Sequence, residues 1–294
     1  MPRTYSPLRY PGGKTQLSKF LMKLFEYNNL ENIVYAEPFS GGFGAGLELL
    51  FANKISKAII NDYDTAIYSI WYAILNETDR FIRDILTTEI TIDEWQSQKG
   101  IYESLKESRG YSYELAFATY FLNRTNVSGI IMGGPIGGLN QKGKYKLDCR
   151  FNKENLAEKL TDISKWKDKI ELYNLESNEF IEKVLLKYLP EEIFIFFDPP
   201  YYEQGKNLYT NFFEHEDHVD LKQKINELKD YNWILTYDFH KEIAEIYNDY
   251  NQYLYEINYS ANKVRKSNEL LIHSDNIKVK SFDKVNLRNP FSTK

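Results

Sequence analysis

The chain has 294 residues, 43% hydrophobic and 27% charged, enough to bury one large core or two modest ones and unlike a disulfide-stapled mini-protein. Lys and Arg number 37 against 42 Asp and Glu, and the formal charge of −5 excludes a global attraction to polyanions, so any such site must be a local patch. No apolar run approaches the ~18 residues of a membrane span, the first twenty residues hold no signal-peptide stretch, and Cys149 is the single cysteine, so a cytoplasmic, reducing compartment is expected.

In chain order, short runs rich in Val, Ile, Phe and Tyr bounded by turn residues predict strands at 33–36, 57–60, 170–174, 193–197, 232–237, 253–258 and 269–273. Apolar positions at helical spacing predict helices over 17–27, 44–52, 180–188, 218–228 and 241–247. Strands alternating with helices imply an α/β sheet covered on both faces. Residues 62–169 break this rhythm. Helical stretches there lead into a glycine-rich segment containing Gly129, Gly133, Gly134, Gly137, Gly138 and Gly143, expected to form an inserted loop or hairpin. It carries Arg124, Lys142, Lys144, Lys146 and Arg150 against Asp148 alone, a positive patch inside an acidic protein. Long inserted loops are where α/β proteins mount binding groups, although a solvated charged loop would show the same residues. The 24 Tyr, 18 Phe and 4 Trp suit base stacking, and an AT-rich coding genome would produce the same excess.

Three glycine- or carboxylate-bearing segments invite a ligand-binding reading. PGGKT at 11–15 ends like a phosphate-binding loop, but that pattern needs a glycine where Leu8 stands. SGGFGAG at 40–46 opens a helix, yet Gly42 and Gly44 would call for a third glycine at Leu47, so the dinucleotide fingerprint is not met. At the second strand end, Asp62 can accept hydrogen bonds from a ribose diol, whereas Asp64 precedes a helical run and reads as its N-cap. The sharpest signal is Asp198-Pro199-Pro200-Tyr201-Tyr202 after the apolar strand at 193–197. Two prolines remove two backbone donors and stiffen the turn, which leaves carbonyls, a carboxylate and an aromatic ring to receive an exocyclic amine on a nucleobase. The histidines, His215, His218, His240 and His273, form no metal-ligand spacing, and no nucleophile elbow is present.

With RYPGGK at 9–14, AEPFSGGFGAG at 36–46, IINDYD at 59–64, NRTNVSGI at 123–130 and DPPYY at 198–202 in this order, the chain resembles the Dam-like family of DNA adenine methyltransferases, which use S-adenosylmethionine. The resemblance implies a seven-stranded Rossmann-like methyltransferase sheet formed by residues 1–76 and 160–294. It also implies an inserted helical plus β-hairpin target-recognition domain at 77–159. Tyr10, Lys14, Glu37, Pro38, Phe39, Gly42 and Gly44 would surround the cofactor, with the lysine near its carboxylate end and Asp62 on its ribose hydroxyls. Asp198, Pro199, Pro200 and Tyr201 would hold a flipped adenine, with the Tyr201 ring rather than its hydroxyl as the working part. Glu176 falls where the family often has an aspartate facing the cofactor's adenine or a nearby wall. The implied partner is double-stranded DNA, contacted by Lys142, Lys144, Lys146 and Arg150 and read by Arg124 or Asn126. A monomer or weak dimer is expected, with no metal and with a restriction endonuclease as a conceivable companion.

The chemistry of the amine fits this reading. The adenine 6-amino lone pair is delocalised into the ring, and two accepted hydrogen bonds, at Asp198 and the Pro199 carbonyl, favour a pyramidal nitrogen with its lone pair exposed. A base inside a duplex cannot reach such a turn and must rotate out. Two other readings stay open. RNA or protein-glutamine methyltransferases more often carry Asn at the position of Asp198, and a DNA-binding regulator without turnover would have no need of Lys14, Asp62, Asp198 and Tyr201 together.

Overall fold

The run Ile193–Phe197 has no polar residue, and all five side chains are buried, as a central strand covered on both faces requires. A computed structural model describes residues 4–9, 13–202, 213–259 and 265–290. In it this run is β4 of a seven-stranded sheet with β1 (Val34–Glu37), β2 (Lys57–Asn61), β3 (Ile170–Tyr173), β5 (Asn232–Asp238), β6 (Asn251–Tyr259) and β7 (Arg265–His273). The order is β3-β2-β1-β4-β5-β7-β6; β1 to β5 pair in parallel, and β7 runs antiparallel to both β5 and β6. This is the Rossmann-like methyltransferase sheet expected from the sequence. Because the strand order reverses between β1 and β4, the connections leaving their carboxyl ends diverge and open a crevice there.

Helices cover both faces. On one side α1 (Ser18–Tyr27), α2 (Gly44–Phe51) and α3 (Thr65–Asn76) bury Phe20, Leu24, Leu47 and Ile70 against Tyr35, Ile60 and Phe194. On the other, α8 (Ser177–Lys183), α9 (His215–Asn226) and α10 (Lys241–Ile246) bury Phe180, Leu221, Ile225 and Ile243 against Ile195, Trp233 and Leu235. Side-chain oxygens start several helices by accepting the first free backbone N–H groups: Asp64 from Ala66, Ser112 from Leu115 and Asn152 from Asn155. The capping role expected of Asp64 is thus observed. Glu176 likewise accepts from Asn178 and Glu179, which starts α8 three residues ahead of the predicted 180–188.

Between β2 and β3, α4 (Thr78–Thr87), α5 (Ile92–Leu105), α6 (Tyr113–Thr125) and α7 (Lys153–Ser164) pack on α3 and on one another. Their Phe81, Trp95, Tyr120 and Leu156 join the same hydrophobic cluster as Ile60. The glycine-rich segment that follows α6 is not the β-hairpin expected. It holds one isolated bridge, Asn126 to Pro135, and two short 3-10 turns, Val127–Gly129 and Leu147–Arg150. Ser128, Gly129, Gly137, Gly138 and Gln141 all have positive φ, and so many left-handed residues interrupt the extended backbone that a strand pair needs. No described helix is long and apolar enough to cross a membrane.

Candidate active site

The turn after β1 is forced into shape by its neighbours. Gly41 and Phe43 are both left-handed, at φ 45° and 46°; for Phe43 this costs roughly 1–2 kcal/mol, which its buried ring, edge-on to Trp71 at 6.0 Å, offsets. A Cβ on Gly46 would fall 1.9 Å from that ring, and one on Gly44 would fall 2.1 Å from Thr15 Oγ1. Gly44 is therefore needed for close packing against the turn Lys14–Leu17, a different reason from the open approach of a ligand expected there. Gly42 presents its carbonyl to the Ser6 hydroxyl at 2.6 Å, Pro38 its carbonyl to Asn61 Nδ2 at 3.0 Å, and Phe39 packs edge-on to Phe213 at 5.9 Å. The Ser40 hydroxyl in the same loop is buried without a hydrogen-bond partner among the described residues. Asp62 accepts the Gly41 N–H at 2.8 Å and the Asp64 N–H at 3.0 Å, tying the two loops together. Burial, with Asp64 nearby, pushes its carboxyl up to about 7. Glu37 is 5% exposed and accepts the Tyr35 hydroxyl at 2.7 Å. Burial, followed by the charge of Asp198, pushes it up to about 8.

Asp198 leaves β4 on the other side of the crevice. Its Oδ1 receives the Lys14 ammonium at 2.8 Å and the Thr236 hydroxyl at 2.8 Å, while Oδ2 meets no protein donor among the described residues. The side chain is 22% exposed, against 3% for Lys14. Lys14 also donates to the Tyr201 hydroxyl at 2.8 Å, which in turn donates to Glu269 Oε1 at 2.7 Å; Tyr255 donates to Glu269 Oε2. Next in the chain, the Tyr202 N–H donates to Asp238 Oδ1 at 3.1 Å, and its ring stacks on His240 at 4.4 Å, fixing the exit of the turn through Pro199 and Pro200.

Lys14, expected near the cofactor's carboxylate end, faces the Asp198 carboxylate at 2.8 Å. One expectation needs correction here. The Tyr201 ring is 3% exposed and its hydroxyl is the middle link of a buried chain, so the hydroxyl matters as well as the ring. Tyr10 lies outside the described residues. Thr236, Tyr255 and Glu269 were not singled out from the sequence. The signal for Glu269 was there: one acid followed directly by Leu270, Leu271 and Ile272 in an apolar strand, a pattern that requires a buried partner.

In the inserted segment the expected DNA residues divide. Lys142, Lys144, Lys146 and Arg150 are exposed, and none has a carboxylate partner among the described residues. Asn126 is fully buried: Oδ1 accepts Trp95 Nε1 at 2.7 Å, and Nδ2 donates to the carbonyls of Ile130 and Ile131. With donors and acceptor spent internally, it anchors the turn and cannot read a base. Arg124 gives Nε and Nη2 to the Arg150 carbonyl at 2.9 and 2.5 Å, which corrects its assignment as a free base reader. Arg9, missed in the sequence, donates to the Asn126 carbonyl at 2.9 Å, and burial together with Arg124 and Arg150 lowers its guanidinium to about 10. Three guanidiniums thus crowd one another where an anion would relieve them. Glu176, whose role was open, is occupied as the cap of α8.

Residues 10–261 match the profile of the D12 class N6 adenine-specific DNA methyltransferases, most of the chain and both sides of the crevice. The chain belongs to this family. This D12-class enzyme is a DNA methyltransferase acting on adenine. It is 25% identical over 239 residues to the type II methyltransferase M.MjaIII of Methanocaldococcus jannaschii, covering 75% of this chain and 79% of that protein. Among solved structures it is similar to the rRNA methyltransferase aviRa of Streptomyces viridochromogenes, at 11% identity and TM-score 0.37, over 91% of this chain and 87% of that one. The Pyrococcus horikoshii protein PH1948 matches at 10% identity and TM-score 0.40, over 90% and 83% of the two chains. Likenesses this loose carry no argument about substrate.

Proposed function

We propose that the D12-class enzyme binds S-adenosylmethionine in the crevice between the carboxyl ends of β1 and β4 and places the 6-amino group of an extruded adenine on Asp198. The donor set suits a cationic methyl donor: Asp198 and Glu269 lie 2.8 and 3.7 Å from the Lys14 ammonium, and burial raises both Glu37 and Glu269, with Asp198 adding to each. Asp62 and the buried Ser40 hydroxyl supply an acceptor and a donor at the adjoining loop for a ribose diol. When bound, the cofactor supplies the activated methyl group.

The single observation that carries the reading is the division of labour on Asp198. Lys14 and Thr236 saturate Oδ1 and hold the carboxylate in place, and Oδ2 remains available as an acceptor. An N–H of the target amine donates to Oδ2 and its second N–H to the Pro199 carbonyl, so the nitrogen turns pyramidal and its lone pair points away from both. The proton released as the new C–N bond forms passes to Oδ2 or to water. The Lys14 ammonium holds the carboxylate in place throughout.

DNA is proposed to lie across the glycine-rich segment, with Lys142, Lys144, Lys146 and the Arg9, Arg124 and Arg150 group on phosphates. Membership of a restriction-modification pair, a cytoplasmic location and site specificity follow the type II relative as proposals. Asp198→Ala should keep cofactor and DNA affinity within about threefold and lower turnover by roughly three orders of magnitude, because its hydrogen bond strengthens as the nitrogen pyramidalises. Radiolabelled methyl transfer measured beside binding checks this; near-normal turnover would remove Asp198 from the chemistry.

A further inference from the structure

Asp198 is useful as an acceptor only if nothing in the protein occupies Oδ2. A competing donor stands close by: the Tyr201 hydroxyl and Asp198 Oδ1 both lie 2.8 Å from the same Lys14 nitrogen. A hydroxyl in that position carries a proton that must go somewhere, and a neighbouring carboxylate is the preferred acceptor. The structure sends it elsewhere. Glu269 Oε1 takes the Tyr201 proton at 2.7 Å, and Lys14 lies 3.7 Å from the same oxygen. Tyr255 donates to Oε2. Glu269 is wholly buried, and two hydroxyls and an ammonium point toward it, the donor set of an ionised carboxylate.

We propose that Glu269, on β7, is a positioning residue for methyl transfer: it draws off the Tyr201 hydroxyl proton and shares the Lys14 ammonium, so that Asp198 keeps Oδ2 open to the target amine. The proposal rests on the reading of Asp198 given above. It assigns a task to the antiparallel strand of the sheet. β7 pairs with β5 in a register that sets Glu269 opposite Asp238, whose carboxylate holds the Tyr202 N–H, so one pair of strand residues secures both tyrosines of the turn. Without the Glu269 charge, the Tyr201 hydroxyl turns toward Asp198 and competes with substrate, and the ammonium shifts wholly to Asp198.

Glu269→Gln keeps the volume and one acceptor while removing the charge. In the full-length enzyme, with activity normalised to the folded fraction, kcat should fall about ten- to hundredfold while KM for DNA and cofactor affinity stay within about threefold, the pattern of an interaction that counts only in the transition state. A merely structural role would instead lower the folded fraction and leave the normalised kcat in place. Wild-type kcat, or a loss confined to KM, overturns the proposal. Should the variant fail to fold, Tyr255→Phe decides: a fall in kcat at constant KM supports it, and unchanged kcat overturns it. Asp198→Ala run alongside separates the two ideas, because turnover persisting in that variant defeats the reading of Asp198 itself, whatever Glu269 does.

Discussion

At the scale of single residues, the site is a set of hydrogen bonds whose partners are nearly all consumed, and this decides which substitutions matter. The Tyr201 hydroxyl accepts from Lys14 and donates to Glu269, both buried. Tyr201→Phe should therefore cost ~1–3 kcal/mol of stability, the penalty for leaving buried charged groups short of a partner, and lower turnover as well. Urea denaturation and a methyl-transfer assay check the two arms; full retention of both would restore the view that the ring alone is required. Asn126 makes the same case outside the site. Three hydrogen bonds end on its buried amide, so Asn126→Ala should destabilise the fold by ~1–3 kcal/mol and collapse the Val127 turn, where a base-reading residue would alter sequence preference at constant stability. Asp198 was legible in the sequence because its chemistry is spelled by consecutive residues, a carboxylate, two prolines and a tyrosine. Glu269 shows in the sequence only as a buried acid without a named partner, because it meets Tyr201 across 68 positions of chain and only the sheet brings them together.

At the scale of elements, the seven strands were legible because buried β-branched and aromatic runs of four to nine residues have no other good home in an α/β protein. Their observed ends depart from the reading by a few residues, most at β6 and β7, where an antiparallel ribbon continues pairing out to Tyr259 and Arg265. The inserted segment was legible as an insertion and misread as a hairpin. Glycine content alone cannot distinguish a two-strand turn from a chain of left-handed turns, since both use the same residue for the same freedom. The functional expectation survives that correction, because exposed cations need only a surface. Replacing Lys142, Lys144 and Lys146 together by Ala should weaken binding to all sequences with preference intact, and lower the slope of log affinity against log salt by ~0.9 for each phosphate left without its lysine. Fluorescence anisotropy across a salt series reads that slope. An unchanged slope would mean that the segment carries solvated charge only and that DNA is held elsewhere.

At the scale of the whole molecule, a chain of net charge −5 has gathered Glu37, Asp62, Asp198 and Glu269 into or beside one crevice with Lys14 as the cation paired to Asp198, and the burial of Glu37 and Asp62 there opposes folding at neutral pH. The direction follows from proton counting. Glu37 rises from 4.5 to about 8 in the folded protein and Asp62 from 3.8 to about 7, in both cases chiefly through burial. Between those limits the native state holds protons that the unfolded chain has already released, so stability is greatest near the lower end and falls as pH rises through the folded values. This is opposite to the usual behaviour of a salt-bridged carboxylate, whose folded pKa is depressed. The urea midpoint of the ligand-free enzyme should accordingly drop between about pH 5 and about pH 8, and Glu37→Gln, which keeps an acceptor for Tyr35 without a proton to lose, should flatten the drop. A midpoint that rises over the same interval, or a Glu37→Gln variant with the same slope as the parent, would show that these carboxylates are ionised at no cost and that the crevice is better solvated than its burial implies.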